Sequence, residues 1–561
     1  MPEYLSPGVY IEEIAGIRPI EGVGTSTAGF IGAAERGPES PRLITSWLDF
    51  QRWYGGYIPD VSYLAYAVQG FFENGGQRCF VTRVANQADT IVAGAIAAGG
   101  GASSLTVSAI GRGAWGNGLL FKVDRANQPP NQPDWFRLTV MYYRPGRLDP
   151  VLPAGGPLNM AKGAAPHFVD PTSTAAADVN DTERRNWVPD LLEVFDGLTH
   201  EAGRTNSVQR VVNANSRLIR AWWPGTPDRI DSAAAGTEVP EPLSLAAPVA
   251  DTPITAGDYD GDPDPVTLGA PPAPQVGVGR GFAGLAAVDE IALLIAPDAL
   301  AGGPGGANLL PVQTALINQC AGLADRFAIL STELGSTNAV NLRPPLDTSY
   351  AAIYHPWIRV YDASINADRL IPPAGHVAGV YARTDIERGV HKAPANEVVR
   401  GISLADPVEF PVTKGIQDIL NPRGVNCIRD FRADRRGIRV WGARTMSSDG
   451  EWKYVNVRRL FIYVEESIDE GTQWVVFEPN DEPTWAKVRR SIGNFLTRVW
   501  HSGALMGGTA EEAFFVKCDR TTMTQDDIDN GRLICYIGIA PVKPAEFVIF
   551  RISQKTAEAP A

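Results

Sequence analysis

The sequence predicts an α/β core, a mixed sheet flanked by helices, with a β-rich inserted domain and extended N- and C-terminal strand arms. Three observations predict it. Residues 290–330 alternate an apolar strand, a helix-spaced segment and a second apolar strand, the β-α-β pattern of parallel pairing. Residues 99–284 are short apolar runs separated by Pro, Gly, Asn and Asp, which suits an antiparallel unit. Both chain ends carry strand-like runs bounded by proline. The implied layout is an arm over 1–24, the first part of the core over 25–98, the insertion over 99–284, the main core over 285–540 and a second arm over 541–561.

In Ser6-Pro7-Gly8-Val9-Tyr10-Ile11-Glu12-Glu13-Ile14, an extended backbone puts Val9 and Ile11 on one side and Tyr10, Glu12 and Ile14 on the other. At the other end, Glu546-Phe547-Val548-Ile549-Phe550-Arg551-Ile552-Ser553 is a β-branched and aromatic run set off by Pro541 and Pro544. Each arm either completes its own sheet or satisfies its N–H and C=O groups on the edge of a neighbour's sheet, which turns a monomer into a link. The candidate linking residues are Val9, Tyr10, Ile11 and Glu12, with Phe547, Val548, Ile549 and Phe550.

Between the arms, 25–34 reads as a small-residue strand ending at Arg36-Gly37-Pro38. Leu64, Val68, Phe71 and Phe72 recur at helical spacing, Gly75-Gly76 ends that helix, and 79–84 resumes as a strand. Within the insertion, 105–109, 119–123 and 136–143 read as strands, and 236–281 is rich enough in Pro, Ala, Gly and Asp to predict exposed loop. Residues 290–297, 312–325 and 326–330 form the β-α-β unit, 350–361 and 457–464 read as further strands, and 483–503 is a clear amphipathic helix.

Lys and Arg number 50 against 63 Asp and Glu, and the formal charge of −13 argues against a general nucleic-acid coat. The five cysteines, Cys79, Cys320, Cys427, Cys518 and Cys535, are scattered without metal spacing and are expected to be reduced thiols. The start lacks a basic and then apolar leader, and the best apolar run, 291–297, is far short of the ~20 residues that span a bilayer. Neither export through a signal peptide nor insertion in a membrane is expected.

No motif nominates a catalytic centre, cofactor or metal. Gly279-Arg280-Gly281-Phe282-Ala283-Gly284 has GxGxxG spacing but follows a Pro-rich loop instead of a strand. The glycine-rich 301–307 follows a strand but lacks the Lys-Ser/Thr that grips phosphate and magnesium. Asp258, Asp260, Asp262 and Asp264 alternate, yet glycine falls at position four and Gly269 at position twelve, against an EF-hand's requirements. The six histidines show no HExxH, and no GxSxG elbow exists; His355 reads as a packed strand residue. In the helix over 484–501, Trp485, Val488, Ile492, Phe495, Leu496 and Val499 make an apolar stripe, while Lys487, Arg490, Asn494 and Arg498 line another face. That ridge is either an ordinary solvated face or a surface for an acidic partner.

Several segments together resemble the sheath protein of contractile phage tails and related phage-derived injection machines: Tyr4-Leu5-Ser6-Pro7-Gly8-Val9-Tyr10-Ile11-Glu12-Glu13, Gly113-Ala114-Trp115-Gly116-Asn117, Pro372-Pro373-Ala374-Gly375-His376-Val377-Ala378-Gly379-Val380-Tyr381-Ala382-Arg383-Thr384-Asp385, Leu420-Asn421-Pro422-Arg423-Gly424-Val425-Asn426, Arg439-Val440-Trp441-Gly442-Ala443-Arg444-Thr445 and Asn456-Val457-Arg458-Arg459-Leu460. The 99–284 region departs from the family pattern, and sheath proteins vary there on the outer surface.

The resemblance implies a structural, non-enzymatic subunit that polymerises helically with itself around an inner tube protein, sharing terminal strands between neighbours. It implies contraction from a metastable extended state, baseplate and tail terminator or cap partners, no cofactor, and assembly in the bacterial cytoplasm. It also implies that Lys487, Arg490, Asn494 and Arg498 face the tube. One chain carrying both arm and core favours a single-component sheath over a two-component secretion sheath. A virion tail, a bacteriocin-like particle and an injection system all fit. An adhesive or carbohydrate-binding β-domain in the insertion, or a hydrolase hidden in the core, are the alternative readings.

Overall fold

The computed structural model describes residues 19–58, 61–97, 104–126, 135–151, 158–160, 166–201, 203–222, 239–244, 250–262, 279–300 and 309–551. Its centre is a nine-stranded sheet: β1 (Ala28–Gly32), β2 (Arg42–Ile44), β3 (Cys79–Arg83), β4 (Leu293–Ile295), β5 (Phe327–Ser331), β6 (Ala351–His355), β7 (Glu397–Val398), β8 (Val425–Asp430) and β9 (Ile438–Trp441). The spatial order is β7-β9-β8-β6-β5-β4-β1-β3-β2. The six inner strands from β8 to β3 are parallel, whereas β2, β9 and β7 are joined on at the edges by antiparallel pairing.

Every residue of β1, β4, β5 and β6 is buried, as a sheet covered on both faces requires. Strand alternation sorts them. Phe30, Leu293, Phe327 and Tyr354 join Leu64 and Phe71 of helix Leu64–Glu73 and Val377 and Tyr381 of helix Ala374–Arg388. Ile31, Leu294, Leu330 and Ile353 face the other way, onto Leu316 and Ile317 of helix Leu309–Leu323 and onto Leu285. Parallel pairing of β4 with β5 matches the expected β-α-β unit.

Between β3 and β4 lie two antiparallel sheets. One joins Ala93–Ala97, Ser104–Ala109 and Ile219–Trp222; the other orders Val239–Ser244, Leu119–Arg125, Phe136–Tyr142 and Leu191–Leu198. Because 93–97 pairs with 104–109, the β-rich region starts before position 99. Within 236–281, expected as loop, Val239–Ser244 pairs with Leu119–Arg125, while 263–278 lies outside the described residues. Leu105, Val107, Phe121 and Val140 share one apolar cluster with Trp53 and Tyr54 of the core, so the insertion is packed onto it.

Two strand expectations are corrected. Residues 457–464 belong to helix Val455–Thr472, in which Val457, Leu460, Ile462 and Val464 are buried. Its apolar run, Leu460 to Val464, is too short to carry a period of its own, and packing against the neighbouring helix decides the outcome. The 350–361 segment is two strands: Pro356, which lacks an N–H, interrupts it. β6 stays in the large sheet, and Ile358–Asp362 turns away to pair with Ala367–Ile371.

The carboxyl-terminal unit consists of helices Val455–Thr472 and Glu482–His501 and an antiparallel pair, Phe514–Lys517 with Tyr536–Ile539. Asp481 starts the second helix by accepting from Thr484 N at 3.0 Å, with Pro483 in the first turn, where its missing N–H costs nothing. Its predicted stripe is buried as expected: Trp485, Val488, Ile492, Phe495, Leu496 and Val499. All five cysteines are free thiols.

Candidate functional site: the chain ends and the 482–501 helix

Residues 1–18, and with them Val9, Tyr10, Ile11 and Glu12, lie outside the described residues; the root of that arm does not. Ile20 is buried among Leu460, Val464, Val488, Ile492, Phe495 and Leu496, between the two long helices of the carboxyl-terminal unit. Gly22 passes so close to Tyr463 that a Cβ there would fall 2.1 Å from its hydroxyl oxygen, so a larger residue would have to displace that ring. Val23 N donates to Ser467 Oγ at 3.1 Å, and Arg459 donates to Thr25 O at 2.8 Å. Arg459 also pairs with Asp385 at 2.6 and 2.9 Å, both side chains almost fully buried. A residue near the amino end of the chain is thus fixed by helices more than four hundred positions away.

The other end is fixed nearby. Val542 N donates to Ala504 O at 3.2 Å, and Asn456 Nδ2 donates to Val542 O at 3.1 Å. Glu546 then accepts from Arg444 at 2.8 and 2.7 Å, from Asn421 at 2.7 Å and from the Tyr454 hydroxyl at 3.1 Å. Burial alone would raise its pKa, but those donors, Arg444 foremost, hold it below the usual glutamate value. Immediately beyond the clasp, Phe547, Val548, Ile549 and Phe550 are 70%, 69%, 78% and 83% exposed. The expected strand there forms no ladder with any described residue. Four consecutive large apolar side chains in water, on a backbone without partners among the described residues, are a surface awaiting cover.

Close to both roots stands the two-stranded sheet. Neither Phe514–Lys517 nor Tyr536–Ile539 has a second strand neighbour among the described residues, and Phe515 and Tyr536 are exposed. Two strands alone are marginal in water, and this pair has one bare edge on each side.

On the 482–501 helix, Lys487, Arg490, Asn494 and Arg498 are all exposed, opposite the buried stripe. They do not form one uniform ridge. Arg498 donates to Ile20 O and so belongs partly to the arm root, whereas Lys487 and Arg490 pair with no carboxylate among the described residues. The adjacent Arg489, outside the expected set, donates to Cys518 O at 3.0 Å.

Of the motifs weighed for chemistry, the glycine-rich 301–307 and Asp264 lie outside the described residues. Asp298, just past β4, accepts from Ala33 N at 2.6 Å, Ser62 Oγ at 2.9 Å, Leu64 N at 3.1 Å and Tyr63 N. An internal carboxylate therefore occupies the N-terminus of helix Leu64–Glu73, the kind of position that otherwise attracts an anion. Asp258 is taken by Thr255 and Gln87 N. Among the described residues no group of three or more His, Cys, Asp or Glu is placed to hold a metal. His355 bonds Thr332 Oγ1 through Nδ1 at 2.8 Å, and burial pushes its pKa down to about 4. No helix among the described residues is long and apolar enough to cross a membrane.

Residues 284–446 match the phage tail sheath protein central domain and residues 447–555 the phage tail sheath C-terminal domain. Residues 284–555 thus match two phage tail sheath domains in consecutive order. The matched sheath segment includes both the Glu546 clasp and the 482–501 helix. A prophage major tail sheath protein of Pseudomonas aeruginosa (strain UCBPP-PA14) is 29% identical over 201 residues, 35% of this chain and 49% of that protein. The tail sheath protein of Vibrio phage KVP40 is 27% identical over 242 residues, 42% of this chain and 35% of its own length. The sheath match thus spans half or less of these relatives. The fold is similar across nearly the whole chain to the contracted helical sheath of the anti-feeding prophage, with a TM-score of 0.52, 24% identity and coverage of 98% and 99%. It is equally similar to the contracted PVC sheath complex of an extracellular contractile injection system, with a TM-score of 0.52, 22% identity and coverage of 99% of each chain.

Proposed function

We propose that the chain is the structural subunit of a contractile sheath, a helical homopolymer that surrounds an inner tube and shortens to drive it through a target envelope. The observation that carries this reading is the Glu546 clasp with its outlet: an anchored root followed at once by four exposed apolar residues, Phe547, Val548, Ile549 and Phe550. An end held firmly on its own subunit and left uncovered beyond it is built to reach another copy.

The natural acceptor is the sheet of Phe514–Lys517 and Tyr536–Ile539, whose two bare edges can take one strand each, from a neighbour's 9–12 segment and another neighbour's 547–550 segment. Strand addition supplies backbone hydrogen bonds, and Phe515 and Tyr536 supply apolar cover. Links of this kind join copies head to tail and leave an open helix. Because both roots are pinned to the carboxyl-terminal unit, that unit forms the connected mesh, and the rest of each subunit can rotate on it.

Lys487 and Arg490 face acidic residues of the inner tube. Exposed pairs worth ~0–1 kcal/mol each suit a grip that must hold the extended state and then release. A small per-subunit difference between the extended and contracted packings, summed over the array, supplies the work without a nucleotide. The array starts at a baseplate, ends at a terminator or cap protein, and is assembled in the bacterial cytoplasm. Electron microscopy of the purified protein, with and without its tube partner, tests the reading: helical tubes of sheath width support it, and a monomer under all assembly conditions overturns it.

A further inference from the structure

Among the described residues, the two ends of the central sheet carry an excess of opposite charge. At the carboxyl ends of the parallel strands, the β8–β9 hairpin holds Arg429, Arg435, Arg436 and Arg439, none of which pairs with a carboxylate among the described residues. Only Arg432 does, with Asp430 at 2.7 Å. Arg429, Arg436 and Arg439 are held by neutral groups, and Arg435 is exposed on the turn. The Arg436 guanidinium lies 5.3 Å from the Phe431 ring and 5.2 Å from the Trp441 ring, and donates to Asn396 Oδ1 at 3.0 Å. Arg429 sits 4.7 Å over Phe431 and donates to Gln417 at 3.1 Å. Stacking orders these side chains in advance and leaves their charge available.

At the amino ends of the same strands the sign reverses. Asp289, just before β4, and Glu466, Asp469 and Glu470 on helix Val455–Thr472 have no Lys or Arg partner among the described residues. Asp289, Glu466 and Glu470 line one recess of about 270 Å³, together with the already paired Arg78, Glu290, Asp325 and Arg459. Burial, and then the charges of Asp325, Glu470, Asp469 and Asp289, raise the pKa of Glu466. The carboxylates therefore converge on one face.

We propose that these poles meet between copies: the arginine hairpin of one subunit docks on the Asp289, Glu466, Asp469 and Glu470 face of the next. Strand polarity points the two surfaces in opposite directions along the sheet, so the contact is heterologous and propagates. It rests on the sheath reading and adds a second, side-chain interface that is independent of the arms. Charge of this kind sets register and rejects misaligned neighbours more than it adds affinity.

The test uses the full chain carrying Arg435→Glu with Arg436→Glu, Asp469→Arg with Glu470→Arg, or all four substitutions, followed by sedimentation and electron microscopy. Each pair should raise the protein concentration needed for tubes by about tenfold, with unchanged melting temperature, and the fourfold variant should recover most of the loss. Arg435→Gln, a milder change on an exposed turn, should shift assembly in the same direction by less. Unimpaired tubes from both reversed pairs would overturn the proposal, as would a fourfold variant impaired by the sum of its parts. Wild-type protein that forms no tubes at all would instead sink the sheath reading itself.

Discussion

Arg444 and Glu546 form a two-pronged pair, Nε to Oε1 at 2.8 Å and Nη2 to Oε2 at 2.7 Å, at the last side-chain tie among the described residues between the carboxyl-terminal segment and its own subunit. Arg444 sits just beyond β9 and is itself held, donating to Asn421 O at 2.9 Å. The clasp sets the direction in which Phe547, Val548, Ile549 and Phe550 leave the molecule.

Replacing Glu546 with Gln keeps the shape and removes the charge, at a cost of about 1 kcal/mol or more in local anchoring. Amide hydrogen exchange over residues 545–550 should then be faster, and fewer tubes should form at a given concentration. Since the folded-state pKa of Glu546 lies below its ordinary value of 4.5, the clasp is fully present above that pH and is lost as the pH falls through the lower, folded-state value. The difference in hydrogen exchange between wild type and Glu546→Gln should therefore be large at neutral pH.

The Arg459–Asp385 pair is buried and also holds the Thr25 carbonyl. Arg459→Met strands the Asp385 carboxylate and should cost about 3–5 kcal/mol in denaturant unfolding. The double variant with Asp385→Leu should lose less than the two single changes together.

Lys487 and Arg490 are exposed and pair with no carboxylate among the described residues, so Lys487→Glu with Arg490→Glu should change monomer stability by no more than about 0.5 kcal/mol. The same variant should fail to co-sediment with tube, or yield sheath that is already contracted. Arg498→Glu should behave differently and lower the melting temperature as well, because Arg498 donates to Ile20 O.

Burial raises the Asp298 pKa to about 6 in spite of four donors. The folded state then binds a proton more tightly than the unfolded chain, whose aspartate has a value of 3.8, so this group's contribution to stability grows as the pH falls from about 6 towards 3.8 and vanishes as a slope above and below that window. Asp298→Asn should remove that slope from the pH dependence of the melting temperature. Asp298→Ala should also destabilise at every pH, because it orphans Ala33 N and Tyr63 N.

Much of this was legible in the residues. The small-residue strand at β1, the β-α-β unit and the 482–501 helix each carry a strong local signal: alternation, length or a capped 3.6-residue period. The helix at 455–472 was not, because its apolar run from Leu460 to Val464 is only five residues long and local period cannot separate a buried strand from a buried helix over that length. The Val239–Ser244 strand was hidden by two prolines, and its partner lies more than a hundred positions earlier. At the site, the apolar tail and the basic face were readable from composition and spacing. The clasp was not, since nothing near Glu546 in sequence points to Arg444, Asn421 or Tyr454. Nor did the 484–501 pattern separate Arg498, spent on the arm root, from Lys487 and Arg490.

Protein lacking residues 547–561, which retains the Glu546 clasp, should be compared with the full chain by electron microscopy under conditions that assemble the full chain. A soluble protein with the full-length melting temperature and no tubes is the predicted result. Tubes of normal width and length from the truncated protein would contradict the account.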